Sequence, residues 1–374
     1  MQTKEIVWQE VFQDVADFRK VNNNFTYHTL CDILTISLLA FLCGADNDEE
    51  IATFGNEKKE FLSKFLELPN GIPSHDTFTR VFRYLDAESF SKSLIKYSKK
   101  ILDFMDEYQL AIDGKVLRGT DKKGNKKSGI CMLSAWATDH LVVLGQLKIE
   151  DKSCEKTAIP ELLDELDLKD AVVTIDAIGN YPINAKKIID KGGNYIFALK
   201  KNQKLAYERV AVMMEKYLQE GRLESDKTYC NDSGRIETRT CYLCHYLEFM
   251  DELYKWEAIQ SVIMIVSKRD TNGVITEDKR YYISGVKQNA KYFNTKIRSH
   301  WSIENKLHWQ LDMSFDEDRC KTRKDNGAEN HNTLRKMALQ ILTNQSDKHS
   351  IKERRKKAGW NDKYLMELLK NVDF

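Results

Sequence analysis

The chain has 374 residues, 58 Lys and Arg against 57 Asp and Glu for a net charge of +1, and 42% apolar side chains. That length and apolar content build a large core spread over two or three modules and exclude a disordered chain. The near-zero charge excludes a uniformly basic nucleic-acid binder and makes the distribution of charge the informative quantity.

Residues 1–105 read as an all-helical N-terminal domain. The start, MQTKEIVWQE, has no apolar run after its first lysine, so no secretory signal is read there. LCDILTISLLAFLCGA, at 30–45, is the most apolar segment, yet it carries Asp32 and is shorter than the roughly 20 residues a bilayer crossing needs. It reads as a core helix. EEIATFGNEKKEFLSKFLEL repeats apolar residues near every 3.6, and SHDTFTRVFRYL follows the PNGIP break with Ser74 as N-cap, either a helix-turn-helix or plain scaffolding. From 106 the texture changes. YQLAIDGKVLRG and CMLSAWATDHLVVLGQLKI give three meander strands, followed by helix (TAIPELLDELDL), strand (AVVTIDAIGN), helix (PINAKKIIDKGG), strand (NYIFALK) and helix (LAYERVAVMMEKYLQE) up to 220. This order predicts an α/β fold with a mixed sheet flanked by helices. Residues 221–287 alternate like strands again and read as a β-rich insertion. Residues 288–345 return to helices, with HWSIENKLHWQLDMSFDED as one amphipathic helix and its exit, and 346–374 form a basic helical tail containing KERRKK and DKYLMELLKNV.

Two strands end in the same way, AIDG at Asp113 and TIDAIGN at Asp176. An apolar strand that stops on an aspartate before small residues puts a carboxylate at the sheet edge where open α/β sheets gather ligands; a lone one also serves as a turn or cap residue. Carboxylates held together repel unless a cation compensates them, and Mg²⁺ or Mn²⁺ is the ion that oxygen donors suit. Glu304 lies four residues from both His300 and His308, on one helical face. It is either the third ligand of such a site or part of a polar cluster at a domain edge. Trp301 and Trp309 read as core. Eight scattered cysteines argue for reduced thiols in a cytosol, and the C-x-x-C at Cys241 and Cys244, near Cys230 and His245, sits on a strand whose positions three apart face opposite sides.

AIDGKVLRG, TIDAIGN, YIFALKKNQ, GRIETR, YYISGV and RSHWSIENKLHWQLDMSFDEDRCKTRKDNGAENHNTLRKMAL resemble, in order, the motifs of the H-repeat-associated group of bacterial insertion-sequence transposases. GIPSHDTFTRVF resembles that group's associated domain and SIKERRKKAGWNDKYLMELL its C-terminus. The resemblance implies a ribonuclease H-like core with a β-rich insertion, and a catalytic Asp-Asp-Glu triad at Asp113, Asp176 and Glu304 holding two Mg²⁺ or Mn²⁺ ions. It further implies double-stranded DNA as partner, meaning the element's terminal inverted repeats and a target, a homodimer in a synaptic complex, and a place in the cytoplasm at the bacterial nucleoid. Where the wider superfamily has Tyr, Arg and Lys around the glutamate, this chain has Ile297, His300 and Leu311, so Arg298, Lys306 and His308 are taken as the phosphate contacts instead. The remaining DNA-binding candidates are Lys115 and Arg118 beside the first acid; Lys200, Lys201, Asn202 and Gln203 in LKKNQ, the amides contacting DNA or capping the next helix; Lys122, Lys123, Lys126 and Lys127 in the basic run of 113–128; and Arg354, Arg355, Lys356 and Lys357, whose charge would add salt-dependent affinity. Two other functions share these features: a structure-selective nuclease without strand transfer, and a catalytically silent DNA-binding remnant.

Overall fold

Strand β1 (Tyr108–Val116) lies inside the sheet and decides which way the site faces. A computed structural model describes residues 8–19, 26–102, 107–120, 129–149, 155–232, 235–247, 251–271 and 273–370. Among these, β1 pairs antiparallel with β2 (Cys131–Ala137), which pairs with β3 (Val142–Ile149); on its other side β1 lies parallel to β4 (Ala171–Ile175), and β4 parallel to β5 (Asn194–Leu199). The insertion contributes β6 (Glu224–Asp232), β7 (Arg235–Cys244), β8 (Ser261–Thr271) and β9 (Val274–Ser284). It is continuous with the core: β9 pairs antiparallel with β5, giving one sheet of order β3-β2-β1-β4-β5-β9-β8-β7-β6. The mixed sheet and its flanking helices are those of a ribonuclease H-like fold.

Alternation along β1 sorts its side chains to two faces. Leu110 and Ile112 enter a core shared with α7 (Glu155–Glu165), α8 (Pro182–Asp190) and α9 (Lys204–Gln219). Ala111 enters the opposite core, built with the N-terminal helices α1 (Trp8–Phe12), α2 (Leu30–Leu42), α3 (Asp48–Glu57), α4 (Lys59–Leu62), α5 (His75–Tyr84) and α6 (Ala87–Leu102). The later helices α10 (Ala290–His300), α11 (Trp309–Ser314), α12 (Gly327–Thr343), α13 (Ile351–Trp360) and α14 (Asp362–Lys370) lie on this second side too. Helix α2 is apolar all round because it is buried all round, and its Thr29 cap accepts a hydrogen bond from Asp32 N. No helix among the described residues is long and apolar enough to cross a membrane.

Helix α12 reads as polar yet is buried over nearly its whole length, because it is wedged between the N-terminal helices and the sheet. Several of its polar side chains find partners on the elements it is wedged between. Lys336 Nζ donates to Ser134 Oγ at 2.9 Å and Gln146 Oε1 at 2.7 Å, and Asn330 Nδ2 donates to the carbonyl of Phe82 at 2.8 Å. Burial pushes the Lys336 ammonium down to about 7. The tail holds α13 and α14 after α12; Ser350 and Glu353 form a capping box that starts α13 at the basic run.

Candidate active site

In the parallel β1/β4 pair, Ile112 stands opposite Ile175. Asp113 follows on β1 and Asp176 just past the end of β4, so the two carboxylates leave the chain where the β1/β4 pairing ends. The small residues after them have steric causes. A Cβ at Gly114 would overlap the Glu155 carboxylate behind β1, and one at Gly179 would overlap Ile175 and Ile159. Asp176 caps the turn that follows it, Oδ1 accepting from Ile178 N at 2.7 Å. The turn is also braced from β5's exit: Asn202 Nδ2 donates to the Ala177 carbonyl at 2.6 Å and Gln203 Nε2 to the Asn180 carbonyl at 2.9 Å. No side-chain cap bond is formed at the start of α9; the two amides tie the loops of β4 and β5 together and so position Asp176.

The odd-numbered residues of β1 contact one segment in succession. Gln109 Nε2 donates to the Lys296 carbonyl at 2.8 Å and its Oε1 accepts from Ser299; Asp113 Oδ2 lies 3.6 Å from His308 Nδ1; Lys115 Nζ bonds Asp312 Oδ1 at 2.7 Å. The expected single helix is in fact α10, a π-helical turn (Ile303–His308) and α11. Such π insertions often mark functional sites because they re-aim side chains. Glu304 is on that turn and exposed. On one side of it, His300 Nδ1 lies 2.9 Å from Thr174 Oγ1, two residues before Asp176; on the other, His308 lies against Asp113. Burial pushes the His300 imidazole down to about 4, against the pull of the Asp176 charge, so the ring is neutral at pH 7. The segment bearing Glu304 is thus pinned across both strand ends. Among the described residues, no three His, Cys, Asp or Glu side chains stand close enough to hold one metal ion. Asp113 and Asp176 supply the hard oxygen donors that Mg²⁺ or Mn²⁺ takes.

The cationic candidates divide into two groups. Lys115 is only 9% exposed, and its ammonium is surrounded by Asp312, Glu317 at 3.1 Å and Asp318 at 3.6 Å. Against the lowering effect of burial, these three hold it above the usual lysine range. It is therefore a buried counter-ion and no open phosphate contact. Arg354 and Arg355 are likewise interior: Arg355 donates to the carbonyls of Phe41, Ala45 and Ser314 and to Asp46, and Arg354 to the carbonyls of Leu342, Gln345 and Asp347. Their charge belongs to the packing of α13, which corrects the reading of Arg354 and Arg355 as DNA contacts. Exposed cations remain in Arg118, Lys200, Lys201, Arg298, Lys306 and Lys356, with Lys357 half-buried over Tyr364. Lys200 Nζ is 4.0 Å from Asp176 Oδ2, and the Arg118 guanidinium 3.4 Å from Asp318. Lys122, Lys123, Lys126 and Lys127 lie outside the described residues. Trp309, read as core, is 53% exposed.

Beside Asp176 opens a cavity of about 500 Å³, lined on its basic and aromatic side by Lys200, Lys201, Tyr207, Lys279, Arg280 and Trp301. Arg280 lies over the Trp301 ring at 5.5 Å, which brings a cation of the insertion to the cavity beside Asp176. Sequence reasoning missed this wall; the KRYY run of β9 was its only signal. Cys241 and Cys244 face different cores, and the Cys244 thiol donates to the Tyr246 carbonyl at 3.3 Å.

A family model described as "Transposase DDE domain" matches residues 105–341, and one described as "DDE_Tnp_1-associated" matches residues 9–98. "Putative transposase YncI" of Escherichia coli O157:H7 is 39% identical over 352 residues, 91% of this chain and 89% of the relative. "H repeat-associated putative transposase YhhI" of Escherichia coli strain K12 is 36% identical over 354 residues, 91% of this chain and 92% of the relative. A shorter similarity, 43% over 54 residues, is to "Inactive transposase YbfQ" of the same strain, covering 14% of this chain and 64% of the relative.

Proposed function

The chain belongs to the DDE transposase family, and from that premise we propose that it cuts phosphodiester bonds at the ends of an insertion sequence and joins the freed 3′-hydroxyl to target DNA. One observation supports the reading: Asp113 inside β1 and Asp176 just past β4 each follow the registered pair Ile112 and Ile175, and the segment bearing Glu304 meets both strands through His300 at Thr174 and His308 at Asp113.

Asp113, Asp176 and Glu304 would hold two Mg²⁺ or Mn²⁺ ions, which supply activation of the attacking oxygen and stabilisation of the leaving oxygen in an in-line displacement. Glu304, exposed on the π turn between His300 and His308, would supply the third carboxylate. The residues around the acids keep the geometry. Asn202 and Gln203 hold the Asp176 turn, Lys115 anchors the far end of the catalytic segment to β1, and neutral His300 packs that segment on β4 without adding charge beside the ligands. Lys200, Lys201, Arg280, Arg298 and Lys306 offer cations around the edge for DNA phosphates, which position the duplex without reading its sequence. Synapsis of two element ends calls for a homodimer.

The test is to incubate labelled DNA of the element's terminal repeat with supercoiled plasmid and the full chain in Mg²⁺. Transposition predicts cleaved ends and label joined to plasmid. Cleavage without joining would replace the reading by a nuclease, and a gel shift without cleavage in Mg²⁺ or Mn²⁺ would replace it by a silent DNA-binding protein.

A further inference from the structure

Gln109 of β1 and Thr174 of β4 point to the same face of the sheet, since Ala111, two residues beyond Gln109, stands opposite Thr174. Both side chains are buried and meet the last turn of α10. The Lys296 carbonyl, 2.8 Å from Gln109 Nε2, can only accept, which fixes the amide with its nitrogen toward that carbonyl. The amide oxygen then accepts from Ser299 Oγ, and the second N–H of Nε2 goes to Thr174 Oγ1 at 3.2 Å.

A threonine hydroxyl has one proton to give. The Leu110 carbonyl, at 3.4 Å, lies beyond the range of about 2.5–3.0 Å over which a hydroxyl donates well to oxygen, whereas His300 Nδ1 is at 2.9 Å. The proton therefore goes to Nδ1. A neutral imidazole carries its proton on one nitrogen only, and burial keeps this ring neutral at pH 7, so with Nδ1 accepting the proton is on Nε2. The half-buried ring lines the cavity beside Asp176, with Lys200, Arg280 and Trp301. Among the described residues, Nδ1 is the ring nitrogen that is hydrogen-bonded, which leaves Nε2 for the cavity.

We propose that Gln109 and Thr174 are positioning residues that lock His300 in its Nε2–H tautomer, and that this N–H donates to a phosphate oxygen of DNA entering the cavity beside Asp176. A neutral donor holds a phosphate there without pairing with the Asp176 carboxylate as a cation would. The phosphate as acceptor rests on the transposase reading; the tautomer follows from the protein alone.

The tautomer is read on the full chain labelled with ¹⁵N-histidine, without DNA, by long-range ¹H–¹⁵N correlation at pH 7, with His300→Gln identifying the resonances among the eight histidines. The expected pattern is a protonated Nε2 and a bare Nδ1. Thr174→Val should release the ring into a mixture of tautomers, and Thr174→Ser should keep the wild-type pattern. The contact is read by fluorescence anisotropy with terminal-repeat duplexes carrying a neutral methylphosphonate at one position at a time. One position should weaken wild-type binding about tenfold more than it weakens His300→Ala, the worth of a hydrogen bond to a charged group. His300→Gln, whose amide N–H can reach the place of Nε2, should regain that sensitivity; the shorter His300→Asn should not, and it replaces His300→Ala if that chain does not fold. A wild-type ring protonated on Nδ1 overturns the proposal, as does an unchanged pattern in a folded Thr174→Val. Equal responses of wild type and His300→Ala or His300→Asn at every methylphosphonate overturn the phosphate contact. A chain that shows the Nε2–H tautomer yet binds no DNA overturns the transposase reading itself, and the phosphate contact with it.

Discussion

Replacing Lys115 with methionine keeps the aliphatic stem and deletes the ammonium that Asp312, Glu317 and Asp318 surround. Removing one partner of a buried ion pair costs about 3–5 kcal/mol, mainly because the other charge is left uncompensated. Glu317 is 2% exposed, but it retains Asn332 Nδ2 at 2.9 Å and Arg335 at 3.8 Å, which puts the cost at the lower end, about 3 kcal/mol. With an unfolding entropy of about 2.1 cal/mol/K per residue over 374 residues, that loss lowers Tm by about 4 °C. The pH dependence has a definite sign. Although burial raises it, Lys115 and Arg335 hold the Glu317 carboxyl below its usual range, so its contribution is fully present above the unfolded value of about 4.3 and is lost as pH falls through the lower folded one. Without Lys115 the folded value rises. The gap between variant and wild type is therefore widest at neutral pH and narrows toward pH 4. Differential scanning fluorimetry at several pH values, with a gel shift at pH 7, measures both consequences. A variant that melts within about 1 °C of wild type at pH 7 yet loses its affinity for DNA would refute the buried counter-ion role and make Lys115 a phosphate ligand.

Arg355→Ala should cost about 3–5 kcal/mol in urea unfolding, because it leaves the carbonyls of Phe41, Ala45 and Ser314 and the Asp46 carboxylate without their donor. Lys356→Gln should shift stability by less than about 0.5 kcal/mol, and should reduce the slope of log binding constant against log salt by about 0.9 for each DNA phosphate no longer neutralised, read by fluorescence anisotropy. Gly114→Ala should lower stability by about 1–3 kcal/mol through overlap with the Glu155 carboxylate, read as a drop in Tm without a change in far-ultraviolet dichroism.

The order of strands and helices was legible because period and punctuation are local: Asp113 and Asp176 each close an apolar run before small residues, and the structure sets those runs side by side. What was not legible depends on partners distant in the chain. KERRKK has the composition of a solvated face, and only the approach of the α2 carbonyl end and the 314–316 turn makes Arg355 an interior residue. Lys115 beside Asp113 looks like a phosphate ligand until Asp312, Glu317 and Asp318, some two hundred residues on, close around it. The polar texture of α12 hides its burial for the same reason, since its partners lie on β2, β3 and α5. The π turn at Glu304 leaves no mark in hydrophobic spacing, which is why a continuous helix was expected there. That the insertion extends the core sheet is likewise a matter of β9 pairing with β5, eighty residues apart.

The most direct measurement compares Asp113→Asn, Asp176→Asn and Glu304→Gln with the wild-type chain on terminal-repeat DNA in Mg²⁺ and in Mn²⁺, reading cleavage and gel shift on the same samples. The account predicts that each substitution abolishes cleavage while the shift persists, because the exposed cations proposed to hold DNA are separate from the three acids. Near-normal cleavage by any one of the three, with its fold intact, would contradict it.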